Sequence, residues 1–269
     1  MDRNTRAYWL QRVFWTPLGF KVLELGTAFG RRWNGVVRNH SATSEVNGEH
    51  WLLQQLPDKP FVIDAGVHAG EISDAVLALR PDARIVGFEP ARSSRELYWR
   101  SHAPDPRVQL ESLALSNAIG EAAFYDDASQ SNSLAPIPSA AHAVSYRVQT
   151  TTLDAYAATA KLPHIDLLKI DVEGYDLHVL EGASELLRAG AIDIFTLEYG
   201  YTWVHTRRYL RDAWELMRDK PYRLFRLFNG FLSPFDYQPS HERFAFTLFV
   251  GVSNTRLARA DLTVRAFPD

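Results

Sequence analysis

The hydrophobic residues of this chain fall into short runs and spaced sets that predict alternating strands and helices. Residues 61–63 form an apolar run of the kind expected for a strand buried on both faces. Apolar residues at positions 72, 75, 76 and 79 recur with the spacing of one helix face, and Pro81 ends that helix. Residues 85–88 form a second apolar run, which leads into Glu89. Together these segments predict a β-α-β unit, which binds a nucleoside-like ligand at the carboxyl edge of a parallel sheet.

The same alternation continues through the rest of the chain. Further strands are predicted at 108–115, 122–125, 144–151, 165–170, 193–198, 222–228 and 244–252, with helices between several of them. Five strand–helix alternations followed by two late strands are typical of a doubly wound α/β sheet with an antiparallel edge strand. Residues 126–145 are rich in Ser, Ala and Pro and predict a long loop, interpreted as a lid because of its length.

Residues 1–58 precede the first core strand and carry many aromatic side chains. Two short amphipathic patterns predict helices there, so we expect an N-terminal helical extension over residues 1–58 and the main domain over residues 59–269. The extension is interpreted as a helical layer on the sheet edge. The alternative is a lid or a homo-oligomer contact that forms part of the substrate pocket. The basic residues between positions 31 and 40 are interpreted as a solvated face, with contact to an anionic substrate as the alternative.

The composition narrows the classes of partner. The 29 Lys and Arg residues against 32 Asp and Glu give a net charge of −3 without a basic block, so nucleic acid is not expected as a partner. The absence of cysteine excludes disulfides and a cysteine nucleophile. No run approaches the ~18 apolar residues of a membrane span, and the N-terminal stretch does not match a signal peptide. We therefore expect no membrane span and a cytoplasmic location.

Two glycines follow the first predicted strand. Gly66 and Gly70 allow positive φ angles and a close approach of a ligand to the backbone. Glu89 follows Asp64 by 25 residues, close to the spacing at which an acid reaches a ribose in this architecture. The loop reads Gly-x-x-x-Gly and lacks the Gly-x-Gly-x-x-Gly spacing that suits a pyrophosphate. A phosphate-free adenosyl ligand therefore fits better than a dinucleotide.

Three blocks of sequence carry most of the candidate chemistry. They are Ile63-Asp64-Ala65-Gly66-Val67-His68-Ala69-Gly70, Gly87-Phe88-Glu89-Pro90 and Leu168-Lys169-Ile170-Asp171-Val172-Glu173-Gly174-Tyr175-Asp176. In order and spacing, these blocks resemble those of the FkbM-type methyltransferases, and the resemblance spans about residues 50–200. It implies a seven-stranded Rossmann-like fold that uses S-adenosylmethionine, releases S-adenosylhomocysteine and methylates a hydroxyl, often on a sugar or natural product.

The expected cofactor site combines the glycine loop, the acid after the second strand and the end of the third strand. The residues expected to bind the cofactor are Asp64, Gly66, His68, Gly70, Glu71, Glu89, Pro90, Ser112, Leu113, Ala114 and Asp171. His68 departs from the family, which usually has Asn at this position. A histidine can still hydrogen-bond the methionine end of the cofactor, but its charge depends on pH.

An alcohol is a poor nucleophile unless its proton leaves, so a general base is expected near the acceptor. Asp171 or Glu173 is predicted to be that base or to orient the acceptor. The alternative is that Asp171 only binds cofactor while Glu173 caps the next helix. His205 and His241 are the next candidates, each with a packing or surface role as the alternative. No metal is predicted, although Asp171, Glu173 and Glu198 could cluster around a divalent ion.

Two other functions fit parts of the pattern. A Rossmann-type nucleotide-dependent oxidoreductase would also use Glu89 on a ribose, but it should show a pyrophosphate loop and a Tyr-x-x-x-Lys pair, and neither occurs. A non-catalytic S-adenosylmethionine-binding subunit would keep Asp64, Gly66 and Glu89. It would tolerate the loss of Asp171 and Glu173. The sequence does not match anything specific for the acceptor, which is expected to be a hydroxyl of a small molecule or glycan.

Overall fold

The computed structural model describes residues 44–126, 132–135, 144–162 and 164–267. The expectations for residues 1–43, including the homo-oligomer contact and the basic face, lie outside the described residues. The strands are β1 (Phe61–Ala65), β2 (Arg84–Phe88), β3 (Val108–Glu111), β4 (Ala114–Leu115), β5 (Gly120–Asp126), β6 (Val144–Thr151), β7 (Ile165–Ile170), β8 (Ile192–Tyr199), β9 (Tyr222–Phe228), β10 (Phe231–Pro234) and β11 (Thr247–Ser253).

Helices connect most of these strands. They are α1 (Ser44–Asn47), α2 (Glu49–Leu53), α3 (Glu71–Leu79), α4 (Arg92–Ser101), α5 (Leu153–Ala160), α6 (Asp176–Glu181), α7 (Ser184–Arg188), α8 (Leu210–Met217) and α9 (Asn254–Leu257), with short 3₁₀ turns at Tyr201–Val204 and Pro239–His241. In the part of the chain that the structure describes, no helix combines the length and the apolar character needed to cross a membrane.

The main sheet has eight strands in the order β10-β9-β11-β8-β7-β1-β2-β3. Strands β3, β2, β1, β7 and β8 are parallel, whereas β11 lies antiparallel between β8 and β9. The α/β class with a mixed sheet is therefore confirmed, and the edge strand β10 is antiparallel to β9. The sheet has eight strands rather than the seven predicted, and β11 is a second antiparallel strand inside it. The additional strand β10 arises because Asn229-Gly230, with Gly230 at φ 94°, makes a two-residue hairpin turn after β9.

A second, three-stranded sheet has the order β4-β6-β5. The predicted strand at 108–115 is two strands in the structure: β3 ends at Glu111 on the edge of the main sheet, and β4 pairs with β6 instead. Apolar residues stand on both sides of this break, so the sequence pattern did not reveal that the chain changes sheets.

Hydrophobic cores cover both faces of the main sheet. Side chains alternate between the faces, so Ile63 and Leu168 enter one core while Val62 and Leu167 enter the other. The second core also contains Leu52, Leu53 and Leu56, which come from α2 and the turn after it. The predicted domain boundary between residues 58 and 59 therefore falls inside one packed region, and α2 is part of the main domain's core.

Candidate active site

A cavity of about 360 Å³ lies at the carboxyl ends of the central parallel strands. Its described lining residues come from both sheets and from the segments around them. They belong to α2, the end of β1 and the loop after it, the first half of α3, the end of β2 and the segment after it, α4, strands β4 and β5, residues 132–134, the end of β7 and the segment after it, Glu198 in β8, and Phe246 before β11. Ligands of open parallel sheets bind at this edge because consecutive loops diverge there. The two densest motifs in the sequence therefore meet at one cavity.

The glycine loop folds tightly against the end of β7. Gly66 has φ 93°, and a Cβ at this position would lie 1.8 Å from the carbonyl oxygen of Asp171. The amide of Gly66 donates to the carbonyl of Phe88, at 2.9 Å, which ties the loop to the end of β2. Only glycine is compatible with this close approach of position 66 to the carbonyl oxygen of Asp171. His68 in the same loop also takes a positive φ of 50°, which is uncommon for a residue with a side chain.

Glu89 presents a fixed carboxylate to the cavity. One oxygen accepts from the backbone amide of His68 at 2.9 Å, and the other accepts from the backbone amide of Ala91 at 2.8 Å. Burial raises the pKa of Glu89, while the two amide hydrogen bonds act in the opposite direction. Because each carboxylate oxygen can accept more than one hydrogen bond, Glu89 keeps acceptor capacity for a ligand.

An apolar wall borders the cavity beside Glu89. Its members are Phe88, Ala114, Leu115, Phe124 and Leu134. Residues 132–134 belong to the predicted lid, and Ser133 fastens them to the opposite side because its hydroxyl donates to the carbonyl of Glu173 at 3.0 Å. Much of that loop, residues 127–131 and 136–143, lies outside the described residues.

Carboxylates surround one buried ammonium group near the ends of β7 and β8. The Nζ atom of Lys169 lies 3.0 Å from Asp171 Oδ2 and 3.7 Å from Glu49 Oε1, and its side chain is only 5% exposed. Burial by itself would lower the pKa of Lys169, but the charges of Asp171 and Glu49 outweigh it and the pKa is raised. Lys169 is therefore a permanent cation in this part of the cavity.

Two further acids lie near Lys169: Glu198 is half-buried and Asp176 is buried. Burial, reinforced by the charge of Asp171, raises the pKa of Glu198 well above its ordinary range, which favours its neutral form. Asp176 is fully buried, and burial raises its pKa to about 7. Its carboxylate accepts from the amides of Gly174 at 3.1 Å and Glu198 at 3.3 Å, which connects the turn after β7 to β8.

The structure brings together many of the predicted cofactor residues, but not all of them. Those that line the cavity are Gly66, His68, Glu71, Glu89, Pro90, Ala114 and Asp171. Asp64, Gly70, Ser112 and Leu113 are not lining residues. Asp64 instead lies buried beneath α3, where one carboxylate oxygen accepts from the hydroxyl of Ser73 at 3.0 Å and the other has no hydrogen-bond partner among the described residues.

The predicted catalytic residues separate into two groups. Asp171 and Glu173 both line the cavity, and Glu173 holds a positive φ of 54° in the turn after β7. His205 and His241 are not lining residues. His205 caps the 3₁₀ turn after β8, and His241 closes its own 3₁₀ turn by accepting from the amide of Gln238 at 2.9 Å. The imidazole of His241 thus has a local structural role, whereas His205 takes part in its turn through its backbone amide.

Among the charged and histidine residues that line the cavity, Glu49, His50 and Lys169 were not predicted to have a functional role. Glu49 and His50 lie in α2, within the segment assigned to the extension. Lys169 lies in an apolar strand, and a buried lysine requires a carboxylate partner. That requirement was the available signal, since no other lysine or arginine interrupts residues 165–170.

A group of possible metal ligands lies outside the cavity. Across the described ranges, the group of three whose ligand atoms lie within 4.8 Å of one another is His164, Asp166 and Asp193. These residues are at the amino ends of β7 and β8, away from the cavity. Asp193 already pairs with His164 and with Arg259, each at 2.9 Å.

Comparison with known proteins identifies the family. The chain is 27% identical over 166 residues to the 2-O-methyltransferase NoeI of Sinorhizobium fredii, covering 56% of this chain and 68% of that protein. It is also 27% identical over 174 residues to the methyltransferase sdnD of Sordaria araneosa, covering 52% of this chain and 67% of that protein.

Solved structures give weaker similarities. The crystal structure of an FkbM methyltransferase from Methylobacillus flagellatus has 13% identity and a TM-score of 0.45, covering 72% of this chain and 44% of that chain. The likeness is too low to add to the assignment. The family described as the methyltransferase FkbM domain matches residues 64–224, more than half of the sequence. The chain therefore belongs to the FkbM methyltransferase family.

Proposed function

We propose that this protein is an S-adenosylmethionine-dependent O-methyltransferase that acts on a hydroxyl group of a sugar, a glycan or a related natural product. The observation that carries the proposal is the carboxylate of Glu89. Two backbone amides fix it at 2.8–2.9 Å, and it faces a cavity bordered by the glycine loop. A carboxylate in this position suits the two hydroxyls of a ribose.

The residues of the cavity fit an adenosyl cofactor. Glu89 would hold the ribose, and the apolar wall of Phe88, Ala114, Leu115, Phe124 and Leu134 would contact the adenine. The cavity volume of about 360 Å³ falls within the ordinary range of small-molecule sites, roughly 300–1,000 Å³. The glycine loop lets the backbone approach the ligand, and His68 beside it would contact the methionine end.

S-adenosylmethionine supplies an electrophilic methyl group whose sulfonium becomes the neutral thioether of S-adenosylhomocysteine on transfer. This chain's residues position the acceptor and remove its proton. Asp171 is the proposed base: it lines the cavity, and Lys169 balances its charge at 3.0 Å. Glu198 is less suited to that role because burial raises its pKa and favours the protonated form. Positioning alone can contribute roughly 7–11 kcal/mol to such a reaction.

Oxygen as the accepting atom is supported by one relative. NoeI carries the name of a 2-O-methyltransferase and aligns over 68% of its own length. The acids near Lys169 provide hydrogen-bond acceptors of the kind that bind several hydroxyls at once. Both points favour a polyhydroxylated acceptor.

Transfer of labelled methyl from S-adenosylmethionine tests this function. The assay uses a panel of neutral sugars and glycosides, with and without EDTA. We expect label in at least one sugar, and Asp171→Asn should lower turnover by about 100-fold or more while S-adenosylhomocysteine affinity is retained. Unchanged turnover in Asp171→Asn would remove Asp171 as the base. Cofactor binding without transfer to any acceptor would favour the non-catalytic subunit.

A further inference from the structure

The order of the strands separates the two ends of the cavity. Glu89 follows β2, Asp171 follows β7, and Glu198 lies near the end of β8. In the sheet, β2 and β8 are separated by β1 and β7, which is three inter-strand spacings or about 14 Å. If the nucleoside occupies the end near Glu89, the acceptor is left with the end near β7 and β8.

Helix α2 forms part of that second end. Glu49, His50 and Leu53 line the cavity there, together with Lys169 and Glu198. The helix is held in place because Leu52 and Leu53 are buried in the core. A segment that precedes the first strand thus contributes side chains to the acceptor end.

The carboxylate of Glu49 is fixed on both sides. One oxygen lies 3.7 Å from Lys169 Nζ, and the other accepts from the side-chain amide of Asn47 at 3.1 Å. The Glu49 side chain is 13% exposed. Lys169 therefore holds two acids, Asp171 from β7 and Glu49 from α2, on the same side of the cavity.

We propose that Glu49 is a specificity-determining residue for the acceptor, and that Lys169 is the positioning residue that holds Glu49 and Asp171 in place. This assignment rests on the proposed function. Glu49 would accept hydrogen bonds from acceptor hydroxyls other than the one that is methylated. Of the described lining residues, Lys169 alone is a lysine or arginine, whereas six are acids: Glu49, Glu71, Glu89, Asp171, Glu173 and Glu198.

The charges of these lining residues also restrict the charge that the acceptor can carry. A carboxylate or phosphate next to the reacting hydroxyl would meet this group of acids with one cation to balance them, and like charges repel. The acceptor is therefore a neutral sugar ring, without an anionic group adjacent to the methylated hydroxyl. A purely structural Glu49, acting only in the first turn of α2, would not affect this selectivity.

The test compares Glu49→Gln with Glu215→Gln, an exposed acid-to-amide change on α8 that is not a cavity residue. With the neutral sugar that the wild type methylates, Glu49→Gln should raise the acceptor KM by about tenfold or more, since a charge-assisted hydrogen bond is lost. The KM for S-adenosylmethionine and the Kd for S-adenosylhomocysteine should not change. The preference for the neutral sugar over its uronic acid counterpart should also fall. Glu215→Gln should match the wild type.

Lys169→Met gives a readout that does not need the acceptor. We expect faster amide hydrogen exchange in residues 49–56 than in the wild type, because α2 loses its ion pair, with α3 as the internal reference. S-adenosylhomocysteine should still bind, and kcat should fall. Because removal of a buried cation can impair folding, Glu49→Gln is the deciding variant.

The outcomes are distinguishable. An active wild type with an unchanged acceptor KM and unchanged selectivity in Glu49→Gln would overturn this assignment alone. A wild type that binds S-adenosylhomocysteine but methylates no sugar would overturn the proposed acceptor class, and the assignment with it.

Discussion

Burial determines the protonation of several acids at the carboxyl end of the sheet. Asp64 is 1% exposed, and burial raises its pKa from 3.8 to about 7, although Lys169 and the Ser73 hydroxyl act in the opposite direction. Asp171 and Glu89 are the other charged groups near it, and both reinforce the rise. Ionisation of Asp64 therefore lowers the free energy of unfolding.

Replacing Asp64 with Asn should make stability less dependent on pH. A carboxyl whose pKa is higher in the folded state contributes stability below about pH 4, and this contribution is lost as the pH rises to about 7. The shift of about 3 pKa units corresponds to roughly 4 kcal/mol as an upper limit. Relative to the wild type, Asp64→Asn should therefore gain free energy of unfolding as the pH rises from 4 to 7.

Urea denaturation at a series of pH values measures this difference. Asp58→Asn changes an exposed aspartate by the same substitution and serves as the control. A difference between Asp64→Asn and the wild type that stays constant from pH 4 to pH 7 would contradict the account.

Elements meet at the glycine loop, where the ends of β1, β2 and β7 come within contact distance. Gly66 and Gly230 have nearly the same φ, 93° and 94°, but different surroundings. A Cβ at Gly66 would lie 1.8 Å from the carbonyl oxygen of Asp171, whereas a Cβ at Gly230 would have no neighbour within 4 Å in the described part of the chain. A side chain at either position would strain the backbone, but only a side chain at position 66 would also clash with a neighbouring atom.

Gly66→Ala should therefore be far more damaging than Gly230→Ala. Backbone strain alone costs about 1–2 kcal/mol, which is the destabilisation expected for Gly230→Ala. Gly66→Ala should lose at least about 2 kcal/mol more, because β7 must move away from the loop, and it should also lose affinity for S-adenosylhomocysteine. Urea denaturation of both variants provides the comparison, and equal losses would show that the close contact is unimportant.

Much of this element-scale arrangement was predictable from the sequence. Apolar runs and helix periodicity identified the five parallel strands, and the acids at their ends indicated the position of the cavity. Three features were missed for physical reasons. Residues 108–115 carry apolar side chains on both sides of the point at which the chain changes sheets, and the turn at Asn229-Gly230 was not recognised as a hairpin. Leu52, Leu53 and Leu56 were assigned to the extension although they belong to a core of the main domain.

The site itself was predictable in part. Gly66 was identified because a glycine directly after the first strand allows a ligand to approach the backbone. Glu89 was identified because its distance in sequence from the first strand is typical of an acid that binds a ribose. Asp64 was expected in the cavity, but strand alternation directs it to the face where Ser73 lies. The role of Lys169 depends on Glu49, which is 120 residues earlier in the chain, and no local pattern connects such residues.

At the scale of the whole molecule, the cavity joins three parts of the fold. The main sheet contributes the strand ends, the small sheet contributes Ala114 and Phe124, and the segment before β1 contributes Glu49. Each part would bind a different portion of the reactants. The proposed reaction therefore requires the adenosyl cofactor to lie against Glu89, so that the other end of the cavity stays open for the acceptor.

Calorimetric titration with S-adenosylhomocysteine shows whether the cofactor binds against Glu89. The wild type should bind one equivalent, and Glu89→Gln should weaken binding by about 10- to 100-fold, because hydrogen bonds to a charged group contribute roughly 1.5–3 kcal/mol. Glu96→Gln, an exposed change on α4, should bind as the wild type does. Absence of binding to the wild type, or an equal Kd in Glu89→Gln, would contradict the account.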